Sequence, residues 1–130
     1  MGTGSGYQAA GLAQIAKTVF TVEIRKNLAD QARERLARLG YKNMHVRVGD
    51  GYQGWPEHAP FDAIMVTASA GKIPQPLLDQ LAEGGRLIMP VGSAVYSQEL
   101  TLVTRKDGKL QASVLADVVF VRMIGDAEGK

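Results

Sequence analysis

Met1-Gly2-Thr3-Gly4-Ser5-Gly6-Tyr7 opens the chain, and its three alternate glycines decide how the rest is read. Glycine has no Cβ, so such a loop adopts positive φ at little cost and lets its backbone touch a ligand. Residues 7–16 follow as a helix carrying Ala9, Ala10, Gly11 and Ala13, small enough to lie close on a sheet. The N–H groups at a helix start have no intrahelical partner and favour an anionic or electron-rich ligand group. A loop of this kind normally follows a buried strand and faces the crevice at the carboxyl ends of a parallel sheet. Only Met1 stands before it in this sequence.

Working outward, residues 18–24 contain Val19, Phe20, Val22 and Ile24, an apolar β-branched run that predicts a strand buried on both faces. A helix comes next, with Asn27 as N-cap, Leu28, Ala32, Leu36 and Leu39 on one face and Gly40 at its C′ position. Arg33, Glu34, Arg35 and Arg38 form its solvated side. Met44, Val46 and Val48 alternate with His45 and Arg47, which predicts a half-exposed strand at or near a sheet edge. Residues 49–60 read as a loop, and residues 61–67 as a central strand. Pro74 and Pro76 lead into a short helix over residues 77–81, ended by Gly84-Gly85, before a buried strand over 87–91. Asp107-Gly108 between residues 99–104 and 110–123 is a two-residue hairpin signal. Helix–strand alternation closed by a hairpin gives an α/β fold: a mostly parallel sheet between helices, with a C-terminal antiparallel pair.

A length of 130 residues allows one domain with a real core. Fifteen Lys+Arg against thirteen Asp+Glu give a net charge of +2, too small an imbalance to argue for nucleic acid or a membrane surface as partner. The absence of cysteine excludes disulfides, thiolate metal sites and cysteine nucleophiles. No apolar run reaches membrane-spanning length, and a soluble, cytoplasmic protein is expected.

Glu23 ends the 18–24 strand about twenty residues after the glycine loop, where an acid accepts hydrogen bonds from both hydroxyls of a ribose. A carboxylate there also suits a local cap or surface pair. Asp50-Gly51 follows the next strand on the same rim; Asp50 can accept from an adenine amine while Gly51 keeps the backbone close, or the pair is a plain Asp-Gly turn. Loop, Glu23 and Asp50 together describe an adenosine site, although Gly4-x-Gly6-x-x-Ala9 does not separate a nicotinamide cofactor from an S-adenosyl one. His45 and His58 have no spacing partner for a metal and read as surface residues, and Trp55 as loop packing. Ser5, Ser69 and Ser93 lack an evident activating base.

Several stretches resemble protein-L-isoaspartate O-methyltransferase: Gly-Thr-Gly-Ser-Gly-Tyr-Gln at 2–8, Val-Gly-Asp-Gly at 48–51, Gly54-Trp55-Pro56, Phe61-Asp62-Ala63-Ile64, the run from Leu81 to Leu87, and Pro90-Val91-Gly92. The resemblance spans nearly the whole chain. It implies a Rossmann-like class I methyltransferase sheet and S-adenosyl-L-methionine as methyl donor. The implied acceptors are L-isoaspartyl or D-aspartyl carboxylates of damaged proteins, in a protein-repair role. Carried over by motif, Gly2, Gly4 and Gly6 approach the donor's methionine and ribose, Glu23 holds the ribose, and Asp50 with Gly51 the adenine. Thr67, Ala68 and Ser69 resemble the acceptor-side loop. No residue is assigned as a general base, and no metal is expected. The family pattern also has a strand ending in an acid before the glycines, placed between residues 18–24 and 61–67; residues 1–130 are therefore expected to be one domain incomplete at its N-terminus. A further departure is Arg122, in Phe120-Val121-Arg122, where the family tends to have proline. Competing readings are a non-catalytic remnant, monomeric or self-associating through strand edges, and an NAD-dependent oxidoreductase.

Overall fold

In the computed structural model, residues 1–4, 6–93 and 97–125 are described. Helix α1 (Tyr7–Ala13) leads to β1 (Val19–Glu23), α2 (Lys26–Arg38) and β2 (Met44–Val48). The β-branched run of β1 buries Val19, Thr21, Val22 and Glu23. It pairs in parallel with β2, Val19 opposite Met44 and Glu23 opposite Val48, so α2 is the crossover of a βαβ unit. Helix α2 buries Ala29, Ala32 and Leu36. Its N-cap is Arg25 and not Asn27, because Glu23 holds the Arg25 N–H at 3.2 Å and fixes the start of the helix before Asn27 is reached. At its other end Gly40 has φ +85°, and the Tyr41 N–H reaches the Leu36 carbonyl at 3.1 Å, the expected left-handed glycine cap.

The second sheet is β3 (Phe61–Met65), β4 (Leu81–Gly92), β5 (Gln98–Lys106) and β6 (Lys109–Val118), in that spatial order. Strands β3 and β4 are parallel and joined through α3 (Gln75–Asp79); β4–β5 and β5–β6 are antiparallel. Asp107 and Gly108 both take positive φ, +53° and +74°, the twist a two-residue hairpin requires. Glu83 accepts from both of their N–H groups and pins the turn. Leu77, Leu81, Leu87 and Met89 are almost wholly buried, with Ile64, Val66, Val103 and Met123 around them. Gly84-Gly85 does not end the helix, which stops at Asp79; it lies inside β4. Phe61 faces Leu81 whereas Ala63 faces Arg86, so the extra residues bulge out, and Gly84 at φ +77° makes the bend possible.

Residues 61–67 do not form a central strand here. Strand β3 pairs with β4 alone and β1 with β2 alone, so each ends its own sheet and Ala63 is exposed. The first residues of the chain stand between them at one end, and the Phe20 and Phe61 rings meet at 5.9 Å between centres further along. The Met1 ammonium donates to the Met65 carbonyl at 2.7 Å, and the Met1 carbonyl accepts from the Thr67 N–H at 3.3 Å and hydroxyl at 3.0 Å. Gly2 and Thr3 donate to the Val22 carbonyl at 2.9 and 3.3 Å. Residues 1–3 thus form one rung between the two sheets. The position expected for a strand between residues 18–24 and 61–67 is a slot of about 530 Å³. Among the described residues, no helix is long and apolar enough to cross a membrane.

Burial pushes the Met1 ammonium down from 8.0 to about 6, with the nearby Glu23 charge opposing the shift. Between those pH values the unfolded chain binds the proton and the folded chain does not. Below pH 6 the folded state carries the full cost of a buried charge, and stability recovers as pH rises to 8. Two pH units correspond to about 2.7 kcal/mol. The urea midpoint of the 130-residue chain should therefore climb between pH 6 and 8. N-terminal acetylation, which keeps the donor but removes the charge, should abolish that climb.

Candidate functional site

The glycine loop hangs from the carboxyl end of β1, where a cavity of about 380 Å³ opens between β1 and the segment after β3. Its wall on the β1 side is Gly2, Gly4, Val22, Glu23, Ile24 and Arg25. Glu23 is only 7% exposed. One carboxylate oxygen accepts from the Gly4 N–H at 3.0 Å and the other from the Arg25 N–H at 3.2 Å. The carboxylate is thus both a cap on local backbone and part of the cavity wall. Each oxygen retains a lone pair for a further donor.

The glycines play different parts. Gly4, at φ +52°, has nothing within 4 Å of where a Cβ would stand, which leaves an open backbone cradle. Gly2, at φ +80°, would bring a Cβ to 3.1 Å from the Thr67 hydroxyl, so this close approach needs glycine. Gly6 does not line the cavity. It turns the chain into α1 at φ +89°, and a Cβ there would meet Leu36 at 3.5 Å and Ala32 at 3.6 Å. Beneath the loop, the buried Thr3 and Thr21 hydroxyls share a 2.7 Å hydrogen bond. Ser5 lies outside the described residues.

Asp50 falls on the same rim as Glu23, because β2 runs parallel to β1 and the Gly49 N–H reaches the Glu23 carbonyl at 2.9 Å. Its carboxylate accepts from the Tyr52 N–H at 2.9 Å, capping the 3₁₀ turn Gly51–Gln53. Gly51 lines the cavity, whereas Asp50 lies just beyond it, against Gly125. On the far wall Thr67 and Ala68 face the cavity. Ser69 does not: it is 1% exposed, and its hydroxyl donates to the Val121 carbonyl at 3.3 Å. Backbone bonds of 2.7 Å from Ser69 N–H to Val121 and from Met123 N–H to Ser69 zip it to the C-terminal segment.

That segment is what sequence reasoning missed. Val121, Arg122, Met123 and Ile124 all line the cavity. The departure at Arg122 was the sole pointer to it, and apolar periodicity gave none. His45 and His58 remain exposed, stacked on Phe20 at 5.0 and 4.4 Å between ring centres. Trp55 packs edge-on to Phe20 at 5.3 Å with the Arg47 guanidinium 4.7 Å over its ring, so it holds the loop. Among the described residues, no group of three His, Cys, Asp or Glu side chains could hold a metal ion.

Parallel strands, a glycine loop at the carboxyl end of β1 and an acid there fit a Rossmann-like class I methyltransferase fold, the fold of the solved structures it superposes on. A solved protein-L-isoaspartate O-methyltransferase superposes with a TM-score of 0.89 at 32% identity, covering 96% of this chain and 41% of its own. A second, described as a putative protein-L-isoaspartate O-methyltransferase from Plasmodium falciparum in complex with S-adenosyl-L-homocysteine, gives 0.81 at 33% identity, covering 95% and 63%. Residues 1–128 match the protein-L-isoaspartate(D-aspartate) O-methyltransferase family, and the chain belongs to it. Protein-L-isoaspartate O-methyltransferase 2 of Syntrophobacter fumaroxidans is 55% identical over 126 residues, 96% of this chain and 51% of that protein. The chain spans 51–60% of the length of such curated relatives.

Replacing Glu23 by Ala leaves the Gly4 and Arg25 N–H groups without their acceptor, at about 1–3 kcal/mol. The E23A chain should show a lowered unfolding midpoint and faster amide exchange at Gly4 and Arg25, with exchange in β5 and β6 altered only by the global change.

Proposed function

We propose that residues 1–130 are the donor-binding part of a single S-adenosyl-L-methionine-dependent methyltransferase domain, acting on L-isoaspartyl or D-aspartyl carboxylates of proteins. Protein repair in the cytoplasm is the setting this reading implies. The observation that carries it is Glu23, buried at the end of β1 with its carboxylate anchored on the Gly4 N–H, which puts acid and glycine loop into one cavity. The residues present suit the donor. Gly4 offers an open backbone cradle for the methionine and ribose portions, Glu23 has lone pairs for ribose hydroxyls, and Gly51 with Asp50 lies toward the adenine end. Gly2 shapes the floor and Gly6 sets the loop's exit into α1.

The donor supplies a methyl group on a positively charged sulfur. An acceptor carboxylate is already an anion and can attack that methyl directly: a C–O bond forms as the C–S bond breaks, and no proton moves. No side chain is therefore required as a general base. The protein's part is alignment and exclusion of water. Thr67 and Ala68 face the cavity opposite Glu23 and are suited to orient the acceptor, with Ser69 bracing that loop from behind. Val121, Met123 and Ile124 supply apolar cover.

Calorimetric titration with S-adenosyl-L-homocysteine should show one saturable site. Glu23→Gln should weaken it at least tenfold, about 1.4 kcal/mol, through the ribose contact. Methyl transfer to an isoaspartyl peptide should fall in parallel. Binding of NAD with no response to S-adenosyl-L-homocysteine would overturn the proposal in favour of an oxidoreductase.

A further inference from the structure

We infer that His45 and His58 form a site for a divalent transition-metal cation, held by two imidazoles and water, that ties the loop over residues 51–60 to β2. Sequence spacing gives neither residue a metal partner, but the fold brings them together. His45 lies on β2 opposite Phe20 of β1, and His58 ends the 3₁₀ turn Pro56–His58. Their ring centres are 6.4 Å apart and their planes differ by 20°.

The Phe20 ring decides how the two imidazoles face each other. Its centre is 5.0 Å from that of His45 and 4.4 Å from that of His58, with interplanar angles of 16° and 20°. A triangle with these sides puts the Phe20 centre about 3.4 Å off the line joining the imidazole centres, close to the contact distance of stacked carbons. The imidazoles therefore lie side by side across one face of Phe20, edge toward edge. An ion bonded to a histidine nitrogen at about 2.0–2.1 Å stands roughly 3.2 Å from that ring's centre. Half of 6.4 Å is the same distance, so one ion fits between the rings. A half-turn about χ2 keeps an imidazole in its plane and exchanges its edges, so a nitrogen reaches the gap without breaking the stack.

Both ligands are held before an ion arrives. Trp55 is edge-on to His58 at 5.3 Å and to Phe20 at the same separation. The Trp55 N–H donates to the Gln80 side-chain oxygen at 2.9 Å, Gln80 Nε2 to the Gln53 carbonyl at 2.9 Å, and Arg47 to the Gly54 carbonyl at 2.7 Å, which anchors the loop. Arg47 is a cation on the same face of β2 as His45, and Glu57 pairs with it at 3.3 Å and offsets its charge. Both imidazoles are exposed, so an ion enters from solvent and water completes its coordination. Imidazole suits copper and zinc, and copper(II) binds such donors more tightly than zinc.

The 130-residue chain, freed of metal, should be titrated with the chlorides of copper(II), zinc and magnesium. Trp55 is the single tryptophan and touches His58, so copper between the imidazoles quenches its emission. The expected result is saturation at one copper per chain, competition by zinc but not by magnesium, and a copper paramagnetic resonance spectrum with coupling to two imidazole nitrogens. His45→Gln and His58→Gln should each weaken copper binding at least tenfold. Zinc should raise the urea midpoint of the unaltered chain and leave that of either variant unmoved. A spectrum with fewer than two imidazole nitrogens, unchanged affinity in either variant, or displacement of copper by magnesium would overturn the inference. The spectrum is recorded on the unaltered chain, so it decides the matter even where a variant fails to fold. His45 and His58 lie outside the lining of the glycine-loop cavity, so this site and donor binding stand or fall separately.

Discussion

A short backbone clasp holds the architecture in register. Val22 C=O on β1 and Met65 C=O on β3 both receive N–H groups from the first three residues, while Thr67 returns a bond to Met1. Among the described residues the strands of the two sheets pair with each other nowhere else, and this rung joins them together with the Phe20–Phe61 ring contact and the bonds linking Gln80 to Gln53 and Trp55. It also sets where the glycine loop begins, directly above the carboxyl ends of β1 and β3. The clasp has its own cost. It carries an ammonium group into a buried position, and burial outweighs the attraction of Glu23 in setting that group's proton affinity.

From this clasp the site follows. A buried carboxylate needs donors, and Glu23 finds them in the backbone on either side of it, at Gly4 and Arg25. Capping local backbone and lining the cavity are therefore not rival roles for this residue. The same two bonds hold the carboxylate in the cavity wall. Asp50 is held similarly by the Tyr52 N–H, at the end of the neighbouring parallel strand. Pre-set acceptors of this kind lower the ordering cost of binding. The C-terminal segment completes the enclosure through its backbone bonds to Ser69, which lies behind the cavity wall.

The slot between β1 and β3 and the cavity at the carboxyl end of β1 share Met1, Gly2 and Thr67 in their linings. Elsewhere the chain manages its edges in ordinary ways. The outer strand β6 is exposed along nearly its whole length, and its Lys109 and Asp117 place charges near both ends.

Residue order alone determined the βαβ unit, the glycine-capped α2 and the Asp107-Gly108 hairpin, because these depend on periodicity and on conformations that local residue types favour. It also pointed to Glu23 and Gly51, since parallel strands bring successive carboxyl ends to one rim. Helix boundaries were less legible: Asn27 lost the cap to Arg25 through a bond from Glu23, and Gly84-Gly85 became a bulge because β4 pairs with β3 from Leu81 onward. Tertiary structure alone decided that Gly6 packs on α2, that Ser69 turns away from the cavity, and that residues 121–124 form its cover. Those outcomes rest on contacts between segments far apart in the chain, to which no local pattern is sensitive. The spacing of β1 and β3 belongs to the same class, set by three residues whose composition predicts a loop but whose hydrogen bonds make them the rung between two sheets.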